Sequence, residues 1–243
     1  MGSRIHTVIV LVLFLALCGC HAQPAGKSSD AVSRKTPEPA PWYEAEIQAF
    51  EAADKASPPR PGQVLFVGSS SIRLWSSLAA DMNPVPVLNR GFGGSKTGDV
   101  LSVFDRIVLP YKPSVIVYYC GDNDLGTTST DSQAAADGFI KFDRRARTRW
   151  SDIRVFYIPI KPSVQRWNNW AAMKKANDIV RAYCERTPGA TYLDTVSPAL
   201  APDGRPDPSI FREDGLHMNA KGYAIWTSVV RPPVLEAWRK AAR

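Results

Sequence analysis

The stretch Val115-Ile116-Val117-Tyr118-Tyr119-Cys120 constrains this chain more than any other, with six consecutive apolar or aromatic residues introduced by Pro113 and stopped by Gly121. A strand with one wet face alternates apolar and polar residues, so an unbroken run predicts burial on both faces, as in the middle of a parallel sheet. Parallel strands need crossover connections, usually helices, and the rest of the chain supplies both elements. Val64 to Val67 closed by Gly68, Val85 to Asn89, Val155 to Ile158 stopped by Pro159, and Thr191 to Leu193 read as four further strands. Helical patterns run from Ser71 to Ala80, Thr97 to Leu109, Ser132 to Trp150, Asn168 to Glu185, and onward from Ala220. Ahead of them, Trp42, Ile47 and Phe50 among Glu44, Glu46 and Glu51 predict an amphipathic helix ended by Ser57-Pro58-Pro59-Arg60-Pro61-Gly62. The alternation predicts an α/β domain around a five-stranded parallel sheet. With 243 residues, 44% of them hydrophobic, one core and one domain are expected.

The first 20 residues stand apart from that domain. Arg4 precedes an apolar stretch from Val8 to Leu17 that is too short to span a bilayer and fits the core of a signal peptide. It ends Leu17-Cys18-Gly19-Cys20, which resembles a bacterial lipobox with Cys20 as the lipid-bearing residue. Cys18 is unusual before that glycine, and an ordinary cleavable signal with a site near Ala22 is the alternative. The resemblance implies an exported lipoprotein, tethered to the membrane without spanning it. His21 after Cys20, where an aspartate would retain the protein at the inner membrane, implies the outer membrane, facing the periplasm. Residues 21 to 41, rich in Ala, Ser, Pro and Lys, read as a flexible stalk, and 42 to 243 as the folded domain.

Charge narrows the partners. A formal net charge of +7 suits an anionic envelope surface or acidic glycans. The densest basic run, Arg144, Arg145, Arg147 and Arg149, has helical spacing and reads as a solvated face, so no nucleic-acid partner is expected. Cys120, inside an apolar strand, and Cys184, on a helix, read as buried thiols.

The chemistry centres on Gly68-Ser69-Ser70-Ser71, where the first strand meets a helix. Two readings compete there: serine is a preferred helix N-cap, and a serine beyond the carboxyl end of a strand is also placed where α/β proteins bind ligands. A serine hydroxyl becomes nucleophilic only when a base takes its proton. Two of the three histidines, His6 and His21, lie in the leader and stalk, leaving His217 alone in the domain. It sits in a polar loop just before the last helix. Asp214, three residues earlier, can fold back to orient the ring, with Glu213 in reserve, or it is an ordinary turn residue. Gly93-Gly94 after the second strand and Gly121-Asp122-Asn123-Asp124 after the third emerge at the same end of the sheet as Ser70, either as plain turns or as donors aimed at a developing oxyanion.

These four separated stretches resemble the four blocks of the SGNH hydrolases, the GDSL esterase/lipase superfamily. Gly68-Ser69-Ser70-Ser71 is similar to its nucleophile block, Gly91-Phe92-Gly93-Gly94 to its glycine block, Gly121-Asp122-Asn123-Asp124 to its asparagine block and Asp214-Gly215-Leu216-His217 to its Asp-x-x-His block. The resemblance implies a three-layer, flavodoxin-like sandwich. It makes Ser70 the nucleophile, Asp214 and His217 its partners, and the Ser70 and Gly94 amides with the Asn123 side chain the oxyanion hole. The implied activity is hydrolysis of carboxylic esters through an acyl-enzyme, with no cofactor. Short acyl esters such as acetylated glycans are expected first, lysophospholipids or thioesters second, and a non-catalytic envelope binding lipoprotein is the third possibility. Ser69 replaces the usual aspartate and resembles an uncharacterised bacterial branch of the superfamily.

Rival motifs do not hold. Gly91 to Thr97 approaches a phosphate-binding loop, but Arg90 and Ser95 stand where its glycines belong. Lys96-Thr97-Gly98 lacks the Ser-x-x-Lys that accompanies it in penicillin-binding proteins. Asp122, Asn123 and Asp124 are followed by Gln133 where a calcium loop needs glutamate, so no metal site is expected. Trp75 and Trp170 read as packing residues, and Trp167 either as packing or as a pocket rim.

Overall fold

Strand β1 (Val64–Gly68) lies in the interior of a parallel sheet completed by β2 (Val87–Gly91), β3 (Val115–Tyr119), β4 (Arg154–Tyr157) and β5 (Ala190–Tyr192), in the order β2-β1-β3-β4-β5. The computed structural model describes Gly2 and residues 39–126 and 130–241, so the rest of the expected export segment, Cys20 and the expected stalk up to residue 38 lie outside the described residues. The helices are α1 (Glu44–Ala56), α2 (Ser70–Arg73), α3 (Leu78–Asp81), α4 (Thr97–Ser102), α5 (Phe104–Ile107), α6 (Ser132–Arg149), α7 (Trp170–Arg186) and α8 (Ala220–Ala241).

Every residue of β1 and β3 is buried, which is why neither strand alternates. Their side chains instead divide between two cores. Leu65, Val67, Ile116 and Tyr118 pack on one face with Ile47 of α1, Val100 of α4, Phe104 of α5, Phe142 of α6 and Val180 of α7. Val64, Phe66, Val117 and Tyr119 pack on the other with Ile72 of α2, Leu78 of α3 and Trp226 of α8. The alternation of elements thus gives the expected α/β fold, and the two cores make it the three-layer sandwich that the resemblance implied.

Three local expectations change. The helix expected over Ser71 to Ala80 is two short ones, and Trp75 falls in the break. Turning the chain there buries the indole against Phe66, Tyr223 and Trp226 and lets its N–H donate to Asp81 at 2.6 Å, burial that offsets the interrupted helix. The helix expected over Thr97 to Leu109 likewise breaks at buried Val103, and Pro110 lies in a closing single turn. The second strand begins two residues later than expected and runs through Asn89 and Arg90, because its register aligns Val87 with Val64 and Gly91 with Gly68. Arg90 is tolerated in the strand because it pairs with Asp54 of α1, donates to the Tyr111 hydroxyl at 2.7 Å and lies over the Phe50 and Tyr111 rings.

The arginine run on α6 is only partly a solvated face. Arg144 and Arg149 are exposed, whereas Arg145 pairs with Asp105 over the Phe104 ring and Arg147 holds the buried Asp143 at 2.7 Å. Cys120 and Cys184 are buried free thiols, and burial pushes both up, Cys184 to about 12.

Gly68, the last residue of β1, takes φ +144°, and a Cβ there would stand 1.7 Å from the Tyr119 carbonyl oxygen. Gly68→Ala is expected to lower the unfolding free energy by about 3 kcal/mol or more, through backbone strain and overpacking together. Gly98→Ala, into open space on α4, should change it by less than about 1 kcal/mol. Urea unfolding of the two variants checks the contrast.

Candidate active site

Ser70 opens α2 immediately after Ser69, which occupies the N-cap position and makes no side-chain capping bond. Its main chain fixes the turn instead: the Ser69 N–H donates to the Tyr119 carbonyl at 3.0 Å, and its own carbonyl accepts from Ile72 and Arg73. The Ser70 hydroxyl is left free to face the loop that carries His217. Because β1 lies between β2 and β3, the loops that follow those two strands leave the sheet on either side of Ser70.

His217 arrives from 147 residues away. Its loop is closed by pairing of Phe211 with Met218, by the Arg212 N–H on the His217 carbonyl at 2.7 Å and by a turn at Gly215, which takes φ +61°. Asn219 caps α8 by accepting from the N–H groups of Lys221 and Gly222. One turn on, Tyr223 stacks on Trp75 and donates its hydroxyl to the Ser71 carbonyl at 2.9 Å. That contact ties α8, and so the histidine loop, to the turn that carries Ser70.

The result is a continuous chain of polar contacts. His217 Nε2 is 3.0 Å from Ser70 Oγ, and His217 Nδ1 is 2.6 Å from Asp214 Oδ2. The other Asp214 oxygen accepts from the N–H groups of Leu216 at 2.9 Å and His217 at 2.8 Å. Burial pushes the Asp214 carboxyl up, but those two N–H groups and the imidazole outweigh it and hold the group at about 2. An ionised carboxylate only accepts, so Nδ1 carries a proton, and in the neutral ring the Nε2 lone pair then faces the serine hydroxyl. Asp214 makes this contact, not Glu213.

The two flanking loops supply donors. Among the described residues the N–H groups of Ser70 and Gly94 have no protein acceptor, whereas that of Gly93 is occupied by the Glu46 carboxylate at 3.1 Å. Of the paired glycines, Gly94 is therefore the one with an N–H available to a ligand. Asn123 donates one amide hydrogen to the Ser95 carbonyl at 3.0 Å and retains a second. Asp124 accepts from both the N–H and the hydroxyl of Thr97, at 3.0 and 2.6 Å, fastening the loop after β3 to the start of α4.

Several residues at this site had no role in the motif reading. Glu46 and Trp42 come from the N-terminal helix region, and the Trp42 ring would stand 3.2 Å from a Cβ on Gly94. Beneath Asn123, the buried Asp122 carboxylate pairs with Lys161 at 2.6 Å and Arg166 at 2.5 Å. A lysine directly after Ile160, between Pro159 and Pro162 at the exit of an apolar strand, was the available signal, since a cation there needs a buried carboxylate. Trp167 and Trp170 are half-buried and stack on each other at 6.0 Å, while Trp75 is fully packed. Among the described residues no group of three His, Cys, Asp or Glu side chains could hold a metal ion.

A parallel α/β sandwich with an aligned serine, histidine and aspartate beyond the sheet's carboxyl edge has the architecture of a serine hydrolase. Residues 63–225 match the model of the GDSL-like lipase/acylhydrolase family, and the chain belongs to that family. Among characterised relatives, the chain is 29% identical over 149 residues to platelet-activating factor acetylhydrolase IB subunit alpha2 of Gallus gallus. That match covers 58% of this chain and 62% of the relative's length. A GDSL-like lipase from Bacteroides thetaiotaomicron shares the fold with a TM-score of 0.67 at 17% identity, over 79% of this chain and 98% of that one. A carbohydrate esterase of family 3 from Talaromyces cellulolyticus does so with a TM-score of 0.60 at 15% identity, over 74% and 99% of the two chains.

Burial pushes the Asp122 carboxyl up, but Lys161 and Arg166 outweigh it and hold the group at about 2. The stability this carboxylate contributes is complete above the ordinary range near about 4 and is lost as pH falls through about 2. The melting temperature should therefore drop steeply between those values. In Asp122→Asn that dependence should flatten, while stability at pH 7 falls by about 3 kcal/mol or more, because the buried Lys161 and the partly buried Arg166 lose their partner. Calorimetry from pH 2 to 7 checks both parts.

Proposed function

We propose that this protein is a serine esterase that hydrolyses carboxylic esters through an acyl-enzyme. The observation that carries this reading is the alignment of Ser70, His217 and Asp214 at 3.0 and 2.6 Å, beside two N–H groups that have no protein acceptor among the described residues. In this reading His217 Nε2 takes the Ser70 proton as Oγ bonds to the ester carbonyl carbon. The Ser70 and Gly94 N–H groups and the second amide hydrogen of Asn123 receive the oxyanion. Collapse breaks the bond to the alcohol, which leaves with the proton from Nε2. Water then attacks the acyl-enzyme by the same route and releases the acid. Asp214 stays ionised throughout and holds the imidazole in the tautomer that accepts from Ser70.

For the substrate we infer short acyl groups, acetyl first, on a glycan alcohol. The Gallus gallus relative is named as an acetylhydrolase and the Talaromyces protein as a carbohydrate esterase, and the exposed Trp42 beside Gly94 offers an aromatic face near the scissile bond. The leader and Cys20 support a tethered place in the cell envelope. A diacylglyceryl-modified Cys20 in protein from the native membrane is the expected finding, and an unlipidated mature chain beginning elsewhere overturns it.

Ser70→Ala and His217→Ala are each expected to lower turnover of p-nitrophenyl acetate by about a thousandfold or more while the protein stays folded. Rates should fall from acetate through butyrate to octanoate. A Ser70→Ala variant as active as the wild type would remove the serine mechanism, and a preference for octanoate would replace acetyl esters with lipids.

A further inference from the structure

The oxyanion donor assigned to Asn123 is an amide, and an amide turned by 180° occupies the same space while presenting an acceptor instead of a donor. Two groups hold it one way round. The Ser95 carbonyl accepts from Asn123 Nδ2 at 3.0 Å, and Arg166 Nη2 donates to Asn123 Oδ1 at 3.1 Å. A carbonyl only accepts and a guanidinium only donates, so the flipped amide would lose both bonds at once.

The guanidinium is itself fixed. Arg166 Nη1 donates to the Asp122 main-chain carbonyl at 2.7 Å and to Asp122 Oδ1 at 2.5 Å. The second Asp122 oxygen accepts from Lys161 at 2.6 Å and from the Tyr119 hydroxyl at 2.9 Å. Room for the cation comes from Gly126, where a Cβ would stand 2.5 Å from the guanidinium carbon. The Arg166 side chain is 15% exposed and the Asp122 side chain 6%, so water screens this network little.

We propose that Arg166 is a positioning residue for ester hydrolysis, acting through Asn123. It keeps the amide's free N–H turned toward the oxyanion site, and its bond to Oδ1 draws electron density from the amide and makes that N–H a stronger donor. Arg166 bonds to Asn123 and Asp122 and leaves substrate contact to the amide. The inference rests on the serine esterase reading, in which Asn123 serves the oxyanion.

The test is a double-mutant cycle on p-nitrophenyl acetate, with kcat and KM for the wild type, Arg166→Met, Asn123→Ala and the double variant, and Ser70→Ala alongside. Arg166→Met is expected to lower kcat by about tenfold to hundredfold with KM within about threefold, a loss smaller than that of removing an oxyanion donor outright. In the Asn123→Ala background the same substitution should cost less than about threefold, because no amide remains to be held. Arg166→Lys keeps the charge beside Asp122 without the fork that reaches both residues, so it should recover melting temperature but not kcat. If Arg166→Met does not fold, the cycle is run with Arg166→Lys. An unchanged kcat, or a loss undiminished without Asn123, overturns the inference while an inactive Ser70→Ala leaves the esterase reading standing. Wild-type turnover that is absent, or equal to that of Ser70→Ala, overturns both.

Discussion

The carboxyl end of β1 meets the carbonyl of Tyr119 more closely than any residue with a Cβ allows, and the site is built outward from that contact. Gly68 lies against the Tyr119 main chain, and the next N–H, of Ser69, donates to the same carbonyl. Two buried strands are thereby locked together at their ends, and the chain must turn where it leaves them. Ser70 stands at that turn because the strands stop there, not because a helix needs a serine cap: the cap position is Ser69, and its hydroxyl makes no capping bond.

Beyond the strand ends the loops are braced by carboxylates, each directed at a neighbouring loop or helix. Glu46 reaches from α1 to the Gly93 N–H, Asp124 from the loop after β3 to Thr97, and Asp122 to Lys161 and Arg166 beyond β4. Bonds of this kind, with at least one charged partner, are stronger than neutral ones and directional. They brace neighbouring loops against one another, and among the described residues the N–H groups of Ser70 and Gly94 stay without a protein acceptor. The occupied N–H of Gly93 beside the open one of Gly94 shows this economy at adjacent residues.

Much of the fold was legible in the residue pattern, because the two-sided burial of β1 and β3 removes polar residues from them and leaves short, unbroken, β-branched and aromatic runs bounded by Gly and Pro. Ser70, Asp214 and His217 were legible for a different reason: chemistry restricts the residue type, and only one histidine lies in the domain. Breaks within helices were not legible. A continuous helix and one interrupted at Trp75 or Val103 have nearly the same local propensity, and at Trp75 the choice is made by a ring finding Phe66, Tyr223 and Trp226, the last two remote in sequence. Arg90 inside a strand was illegible likewise, since its acceptors Asp54 and Tyr111 come from a helix and a turn on either side of it in sequence.

Alone, the sequence determined the alternation of strand and helix, the burial of the central strands and the four short stretches from which the site is assembled. Local sterics, hydrophobic burial and side-chain chemistry act within a few residues, so a linear reading reaches them. Only the tertiary structure decided how closely the histidine meets the serine, which glycine N–H is occupied by a carboxylate, and which cation holds the Asn123 amide. Each of those is a distance between groups far apart in the chain, 147 residues for Ser70 and His217, 47 for Glu46 and Gly93, and 43 for Arg166 and Asn123. Hydrogen bonds keep to a narrow window, about 2.7–3.2 Å for N–H···O, and weaken steeply as their angle bends, and placement at that scale comes from packing all three layers together.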